Sequence, residues 1–330
     1  MSKMSTDLVR HALHGPTMGT RWTALFHTAP GFDPMPVRAA LQAAVDELDA
    51  QMSTWKPGSD LMRLNAALVG EWVAAPARLL HVLGVGLELG RASGGAFDIG
   101  MGDAVTAWGF GPEAAVPERI CAAMIAPRIA AYELLELDKM AGRARKRAPI
   151  ALDLNGIAKG YGVDRLAETL IDFGIASALV GIDGEMRAKG LRPDGEPWVV
   201  AVEAPDRERR APHSIIALHD AAVATSGDYR HWVDVGGRRF SHTMDPARGG
   251  PLSAPPASVT VVAATCLVAD AWATALMVRG SFEGAELARR ENLDAFFIDR
   301  EGDQLRETLV GRLFETRSDP GVRPDPGMHS

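Results

Sequence analysis

"LDLNGIAKGYGVDRLAETL", residues 152–170, has the pattern of a strand, a turn with two glycines and a helix. The start of a helix presents backbone N–H groups and a positive dipole end to anions, and Lys159 would add a full charge. The Walker A signature is absent, because Lys159 is followed by Gly160 and not by Ser or Thr, and the GxGxxG signature is absent as well. The segment therefore predicts either a site for a phosphate-bearing ligand or a tight strand-to-helix connection with a solvated lysine.

Helix-like and strand-like segments surround this stretch without regular alternation, which predicts an α+β fold and not a doubly wound sheet. With neither a repeat nor a clear linker, we expect one large domain, or two interleaved subdomains, over residues 17–317. Residues 1–16 are an N-terminal extension, and residues 318–330, rich in Pro, Gly and Asp, are a flexible tail. The periodicity predicts helices over 36–52, 76–92, 123–130, 163–173 and 267–279, and strands over 17–28, 177–182, 197–204, 214–219, 239–244, 257–264 and 294–299.

Composition limits the partners and the compartment. The chain has 330 residues and a net charge of −7, so we expect no nucleic-acid or membrane-surface partner, since both are polyanions. Its two cysteines, without a CxxC motif, do not predict a disulfide framework or a zinc site. No stretch reaches the roughly 18 apolar residues of a membrane span. Because residues 1–20 lack the apolar region of a signal peptide, we expect a cytoplasmic protein without membrane insertion.

A helix at "VADAWATALMVRG" (268–280) places Asp270 and Thr274 four residues apart and therefore on one face. A carboxylate, a hydroxyl and backbone carbonyls are hard oxygen ligands that suit Mg²⁺. The alternative is an internally bonded pair on an otherwise apolar helix. A carboxylate among Ala, Val and Trp is nonetheless costly to bury without a partner.

The segment "TSGDYRHWVDVGGRRFSHTMDPARGGPL" (225–252) begins with a polar turn and carries His242 and Asp245 near a strand end. A histidine near an aspartate can work in acid–base chemistry or bind a phosphate; the alternative is a hydrogen-bonded structural histidine. In "SGGAFDIGMGDAVTAWGFGP" (93–112), Phe97 and Trp108 lie in glycine-rich loops, and Trp55 precedes them. These aromatic side chains could stack on a flat ring system or close the loops onto the core.

The order of these blocks resembles the ApbE family of FAD:protein FMN transferases. The series is Met18-Gly19-Thr20, "MSTWKPGSDLMRLN", "GGAFDIG…AWGFGP", "LDLNGIAKGYGVDRLA", "VATSGDY", "SHTMDPARGGPL" and "SVTVVAATCLVADAWATALMVRG", spanning about 17–300. The resemblance implies a T-fold-like α+β fold, FAD as substrate and a divalent ion, usually Mg²⁺. It implies that a threonine hydroxyl of an acceptor protein takes FMN through a phosphoester bond while AMP leaves. Some relatives hydrolyse FAD to FMN and AMP instead.

Matching positions imply the roles of individual residues. Lys159 and His242 would face FAD, with His242 next to the scissile phosphate, and together with Asp270 they form the implied catalytic set. The metal would be held by the backbone carbonyls of Gly156 and Ala273 and by the side chains of Asp270 and Thr274. The other residues implied to contact FAD are Met18, Trp55, Ala96, Phe97, Asp98 and Asp153.

The sequence departs from the family pattern at three places. Asn155 precedes Gly156, the usual "GGD" is Asp183-Gly184-Glu185, and Arg248 replaces a threonine in "DPARG". These changes bear on the positioning of the substrate more than on the reaction class. Two alternatives stay open: a metal-dependent FAD pyrophosphatase and an FAD-binding protein without activity. Many relatives are exported lipoproteins with an N-terminal cysteine, and its absence here also favours a cytoplasmic location.

Overall fold

The computed structural model describes residues 8–206, 211–228, 232–235, 238–302 and 304–315. The helices are α1 (Met35–Met52), α2 (Asp60–Ala66), α3 (Ala77–Ala92), α4 (Gly102–Ala107), α5 (Pro117–Ile125), α6 (Ala131–Leu134), α7 (Ala158–Asp172), α8 (Cys266–Arg290) and α9 (Arg312–Glu315). The strands are β1 (Val9–Thr17), β2 (Thr20–Thr28), β3 (Val73–Ala74), β4 (Leu135–Asp138), β5 (Arg143–Lys146), β6 (Ala178–Ile182), β7 (Glu185–Lys189), β8 (Trp198–Glu203), β9 (Pro212–Leu218), β10 (Ala222–Gly227), β11 (Trp232–Val235), β12 (Arg238–Ser241), β13 (Met244–Asp245), β14 (Gly250–Pro251), β15 (Ser258–Ala263), β16 (Asp294–Glu301) and β17 (Gln304–Val310).

An antiparallel sheet of eight strands, in the order β1-β2-β6-β7-β10-β15-β16-β17, is the centre of the fold. One face carries helices: α1 and α7 pack on β2 and β6, and α8 packs on β10, β15 and β16. On the other face, the β8–β9 hairpin buries Trp198, Val200 and Ile216 against strands of the main sheet. The predicted α+β class is therefore confirmed. None of the described helices combines the length and apolar composition that a membrane crossing requires.

The N-terminal boundary differs from the expectation. Residues 9–16, assigned to an extension, form with Thr17 the edge strand β1, which pairs along its whole length with β2. Pro16 is compatible with a strand here because an edge strand has one side that needs no N–H donor. Leu8 precedes β1, and residues 1–7 of the extension and the tail 318–330 lie outside the described residues.

Several predicted elements are shifted or divided. The helix expected over 123–130 is α5, which ends at Ile125 because Pro127 cannot continue it. Helix α7 begins at Ala158, one turn before the expected 163. Helix α8 runs on to Arg290 across a kink at Gly280, whose φ of 74° only glycine adopts readily. The strand expected over 239–244 is interrupted, so that His242 lies between β12 and β13. The helices predicted over 36–52 and 76–92 agree within one residue.

Candidate active site

A cavity of about 970 Å³ opens where the first turn of α7, the middle of α8 and the ends of the central strands meet. It is lined by eleven of the twelve residues to which the family resemblance assigns a role. Ala273 is the exception: it is fully buried in α8 next to Thr274. The eleven residues are Met18, Trp55, Ala96, Phe97, Asp98, Asp153, Gly156, Lys159, His242, Asp270 and Thr274.

Two glycines let the turn of the opening stretch approach α8. A Cβ on Gly160 would lie 2.4 Å from the carbonyl oxygen of Cys266, closer than real contacts allow. A Cβ on Gly156 would lie 3.2 Å from the Thr274 hydroxyl. The Gly160 N–H donates a 2.9 Å hydrogen bond to Oδ2 of Asp270. The glycines of the turn thus bring its backbone against the two α8 residues predicted to bind a metal.

Gly160→Ala is expected to destabilise the protein by about 1–3 kcal/mol, because the added methyl group must push α7 away from the backbone of α8. Urea unfolding measures this change. Gly58→Ala is the matched control: a Cβ there meets no atom within 4 Å, and we expect a change within about 0.5 kcal/mol. Equal stability of Gly160→Ala and wild type would contradict the close packing of the two helices.

Asp164, which the sequence analysis did not identify, fixes the start of α8. Its carboxylate accepts hydrogen bonds from the N–H groups of Cys266, at 2.8 Å, and Leu267, at 2.9 Å. Thr265, at the N-cap position, makes no capping bond through its side chain. Arg187 completes the contact with an ion pair of 2.7 Å to Asp164. A side chain of α7 therefore caps α8, one turn before Asp270.

Asp270 is buried and its charge is costly. Burial, reinforced by the negative charge of Glu185, raises the pKa of Asp270 to about 7, against the opposing effects of Lys159 and the Gly160 N–H. A bound cation would favour the ionised form and offset this cost. The electrostatics of Asp270 therefore suit a position next to a positive ion.

The oxygen donors around Asp270 fit a divalent cation. The Thr274 hydroxyl lies 3.3 Å from that of Ser226 and close to the Gly156 backbone. Across the described ranges, His, Cys, Asp and Glu residues form no group of three or more that could hold a metal. The donor set predicted from the sequence needs no such group, because it combines one carboxylate with a hydroxyl and backbone carbonyls, which are hard ligands for Mg²⁺.

Lys159 is paired within the protein and does not face solvent alone. Its Nζ lies 2.6 Å from Oε1 of Glu185 and 3.9 Å from Asp183. Burial disfavours the ammonium, but Glu185, Asp270 and Asp183 together outweigh it and hold the pKa of Lys159 above its ordinary value. Lys159 is thus a permanent positive charge inside an acidic cluster. The solvated-lysine alternative does not describe this residue.

Asp153 and Asn155 form a local unit in the turn. The backbone N–H and the side-chain amide of Asn155 donate to the two oxygens of Asp153, at 2.8 and 3.0 Å. Burial raises the pKa of Asp153 to about 6, although the Asn155 N–H lowers it. The departure from the family pattern at Asn155 therefore adds a side-chain donor, beside the backbone N–H, to a buried carboxylate.

The loops near the cavity carry one exposed and one buried tryptophan. Trp55 is 60% exposed and lines the cavity, so its ring is accessible for stacking. Trp108 is buried, donates to the Gly249 carbonyl at 3.2 Å and packs on Phe240, which agrees with the alternative of closing a loop onto the core. Asp98 accepts hydrogen bonds from the N–H groups of Gly100 and Ala131, at 2.8 and 3.1 Å, and so also shapes its loop.

Met18 adopts a conformation that its side chain disfavours. Met18 and Gly19 have φ of 45° and 72°, and they form the two-residue loop of the β1–β2 hairpin. Such loops need positive φ at both positions, which Asn and Gly adopt more readily than Met. Strained residues of this kind are concentrated at functional sites. Here the turn places Met18 at the wall of the cavity.

His242 reaches the cavity from the short segment between β12 and β13. It follows β12, lines the cavity and meets the ring of Phe110 edge-on at 6.5 Å between centroids. The carboxylate of Asp245 accepts the N–H of Ala247 at 2.9 Å in the turn that follows. Arg248, the third departure, is exposed in this turn, and Asp183 and Glu185, the second departure, line the cavity.

Sequence and structure comparisons agree on one family. The model of the ApbE family matches residues 18–297. The FAD:protein FMN transferase of Vibrio cholerae is 36% identical over 89% of this chain and 89% of its own length, and that of Escherichia coli K12 is 33% identical over 89% and 85%. Among solved structures, the flavinyl transferase ApbE of Pseudomonas stutzeri, in its apo form, matches with a TM-score of 0.82 and 36% identity over 96% of this chain and 98% of its own.

Proposed function

The chain belongs to the ApbE family, and on that premise we propose that it transfers FMN from FAD to a threonine hydroxyl of an acceptor protein and releases AMP. Its relatives, named FAD:protein FMN transferases, make it a transferase enzyme that acts on flavin. The proposal adds the phosphoester product, the threonine and a requirement for Mg²⁺. The cytoplasmic location expected from the sequence stays a prediction.

The observation that carries this proposal is the convergence in one cavity of a helix N-terminus, a buried carboxylate with a raised pKa, a paired lysine and a histidine. Transfer of a phosphoryl-linked group depends mainly on positioning and charge stabilisation, because the protein contributes little covalent chemistry. The first turn of α7 offers a positive dipole end to a pyrophosphate, although the Ala158 and Gly160 N–H groups already donate to Leu154 and Asp270. These features support a site for the pyrophosphate of FAD.

A divalent ion fits the donors at Asp270, Thr274 and the Gly156 and Ala273 carbonyls, and when bound it would neutralise negative charge on the pyrophosphate. The residues of the chain do the remaining work in this proposal. Lys159 contributes a fixed positive charge, and His242 accepts the proton of the attacking hydroxyl or stabilises the charge that develops. Met18, Trp55 and Phe97 border the space in which the flavin ring would lie.

The direct test incubates the pure protein with FAD, Mg²⁺ and a candidate acceptor protein. Flavin fluorescence that stays on the acceptor band in a denaturing gel supports covalent transfer. FMN and AMP released with a valid acceptor left unmodified would support the pyrophosphatase alternative. FAD that binds without being cleaved would support the inactive binder.

Lys159→Met is expected to weaken FAD binding or turnover by about 1.5–3 kcal/mol, roughly tenfold to a hundredfold, because a charge-assisted contact to the pyrophosphate is lost. Calorimetry with FAD and steady-state kinetics separate binding from turnover. Lys139→Met, at a lysine outside the cavity lining, controls for the loss of one positive charge. FAD affinity and rate equal to wild type in Lys159→Met would remove Lys159 from the site.

A further inference from the structure

Glu185 is a buried carboxylate at the wall of the cavity. It is the first residue of β7, directly after the two-residue loop Asp183-Gly184, and it is 3% exposed. Oε1 receives the Lys159 ammonium at 2.6 Å. Oε2 is buried and has no hydrogen-bond partner among the residues that the structure describes. One oxygen of this carboxylate is therefore satisfied by the protein and the other is not.

A buried acceptor without a donor costs free energy, and more so when it carries charge. Such a group persists in a native fold when something outside the protein supplies the missing donor. Glu185 lines the same cavity as Asp270, Thr274 and His242. The missing donor is therefore expected to come from a molecule that occupies this cavity.

We propose that Glu185 is a positioning residue of the site, whose Oε1 holds Lys159 in place and whose Oε2 accepts a hydrogen bond from a hydroxyl group of a bound substrate. This proposal rests on the proposed function for the identity of the substrates. Both proposed substrates carry hydroxyl groups. The flavin nucleotide has them on its ribityl chain and its ribose, and the acceptor protein has one on its threonine. The chemistry is shared, and the experiment separates the two sources.

The arrangement also changes the role of Lys159. Its nearest charges are carboxylates, at 2.6 Å for Glu185 and 3.9 Å for Asp183, so much of its positive charge is already balanced inside the cavity. The Lys159 ammonium thereby holds the Glu185 side chain in place as an acceptor. A neutral residue at 185 would release Lys159 toward a bound anion and remove the acceptor at the same time.

The test compares Glu185→Gln with Asp183→Asn. Glutamine keeps the size of the side chain but can place an N–H donor where Oε2 stood. Asp183→Asn removes the more distant carboxylate and is compatible with the φ of 55° at this position, since Asn tolerates left-handed backbone. FAD affinity is measured by titration with Mg²⁺ and no acceptor, and acceptor KM and kcat are measured separately.

We expect Glu185→Gln to lose at least tenfold in one or more of these three quantities, and Asp183→Asn, whose carboxylate lies farther from Lys159, to lose less in each. A weaker FAD affinity identifies a hydroxyl of the flavin nucleotide, whereas unchanged FAD affinity with a raised KM or a lower kcat identifies the acceptor hydroxyl. Values for Glu185→Gln within threefold of wild type in every quantity would overturn the proposal. The activity of the wild-type protein tests the proposed function. The ratio of each variant's FAD affinity, KM or kcat to the wild-type value tests the role of Glu185.

The double variant Lys159→Met/Glu185→Gln removes the ion pair as a unit, so that neither Lys159 nor Glu185 is left as a charge without its partner. It is expected to stay at least tenfold impaired, with losses that are not additive over the two single variants, since both residues act on one contact. If the double variant recovers wild-type affinity and rate, Glu185 serves only to balance the charge of Lys159 and the role of Oε2 is wrong.

Discussion

Asp270→Asn is expected to reduce Mg²⁺-dependent AMP release by about 10²-fold or more, because it removes the charged oxygen donor proposed for the metal and with it several kcal/mol of charge stabilisation. The fold should survive. The side chains have the same shape, and the amide oxygen can still accept the Gly160 N–H that now lies 2.9 Å from Oδ2. Because burial raises the pKa of Asp270 to about 7, removing its charge should not lower the melting temperature. Titration of Mg²⁺ against AMP release, beside thermal unfolding, measures both effects.

Thr274 offers the matched pair of variants for the same claim. Thr274→Ser keeps the hydroxyl and is expected to retain metal dependence, whereas Thr274→Val keeps the shape, loses the hydroxyl and is expected to need more Mg²⁺. Thr274→Ser also retains the hydroxyl that lies 3.3 Å from that of Ser226, whereas Thr274→Val removes it, so the comparison tests the hydroxyl and not the shape of the side chain. Unaltered metal dependence in Asp270→Asn and in Thr274→Val would end the metal assignment.

His242→Ala should still bind FAD but transfer FMN about 10²–10⁴-fold more slowly, the usual contribution of a positioned acid–base group. The prediction follows from the location of His242 at the wall of the cavity that also holds Lys159 and Asp270. Single-turnover transfer to the acceptor, with FAD affinity measured in parallel, separates the chemical step from binding.

His219→Ala is the control for this variant, because His219 is 55% exposed beside Asp220 and lies outside the cavity lining. It should transfer FMN at the wild-type rate. Transfer at the wild-type rate by His242→Ala would remove this histidine from the mechanism while leaving the family assignment intact.

The sequence indicated which residues gather at one cavity better than it predicted the strands around that cavity. Gly156, Lys159, Asp270 and Thr274 lie in helices and turns whose local patterns are strong, and they converge as expected. Strand β10 was missed because Thr225 to Gly227 look like a polar turn, although they pair in register with β15. Polar residues are tolerated there because Thr225 bonds to Thr260 across the two strands, at 2.8 Å.

The contact of Glu185 with Lys159 and the capping role of Asp164 were not predicted, for different reasons. The Asp183-Gly184 pair is a strong hairpin signal, and with it the sequence could have placed Glu185 at the start of a strand. That the carboxylate turns inward onto Lys159, 26 residues away, depends on the pairing of β6 with β7. Asp164 caps a helix that begins 102 residues later, a long-range contact that no local pattern encodes.

Intact mass spectrometry of an acceptor protein, after incubation with this enzyme, FAD and Mg²⁺, tests the central proposal most directly when AMP is measured in the same reaction. The proposal predicts one added FMN on a threonine of the acceptor and an equal amount of AMP. An acceptor that a relative modifies under the same conditions, but that stays unmodified here while FMN and AMP accumulate, would contradict it.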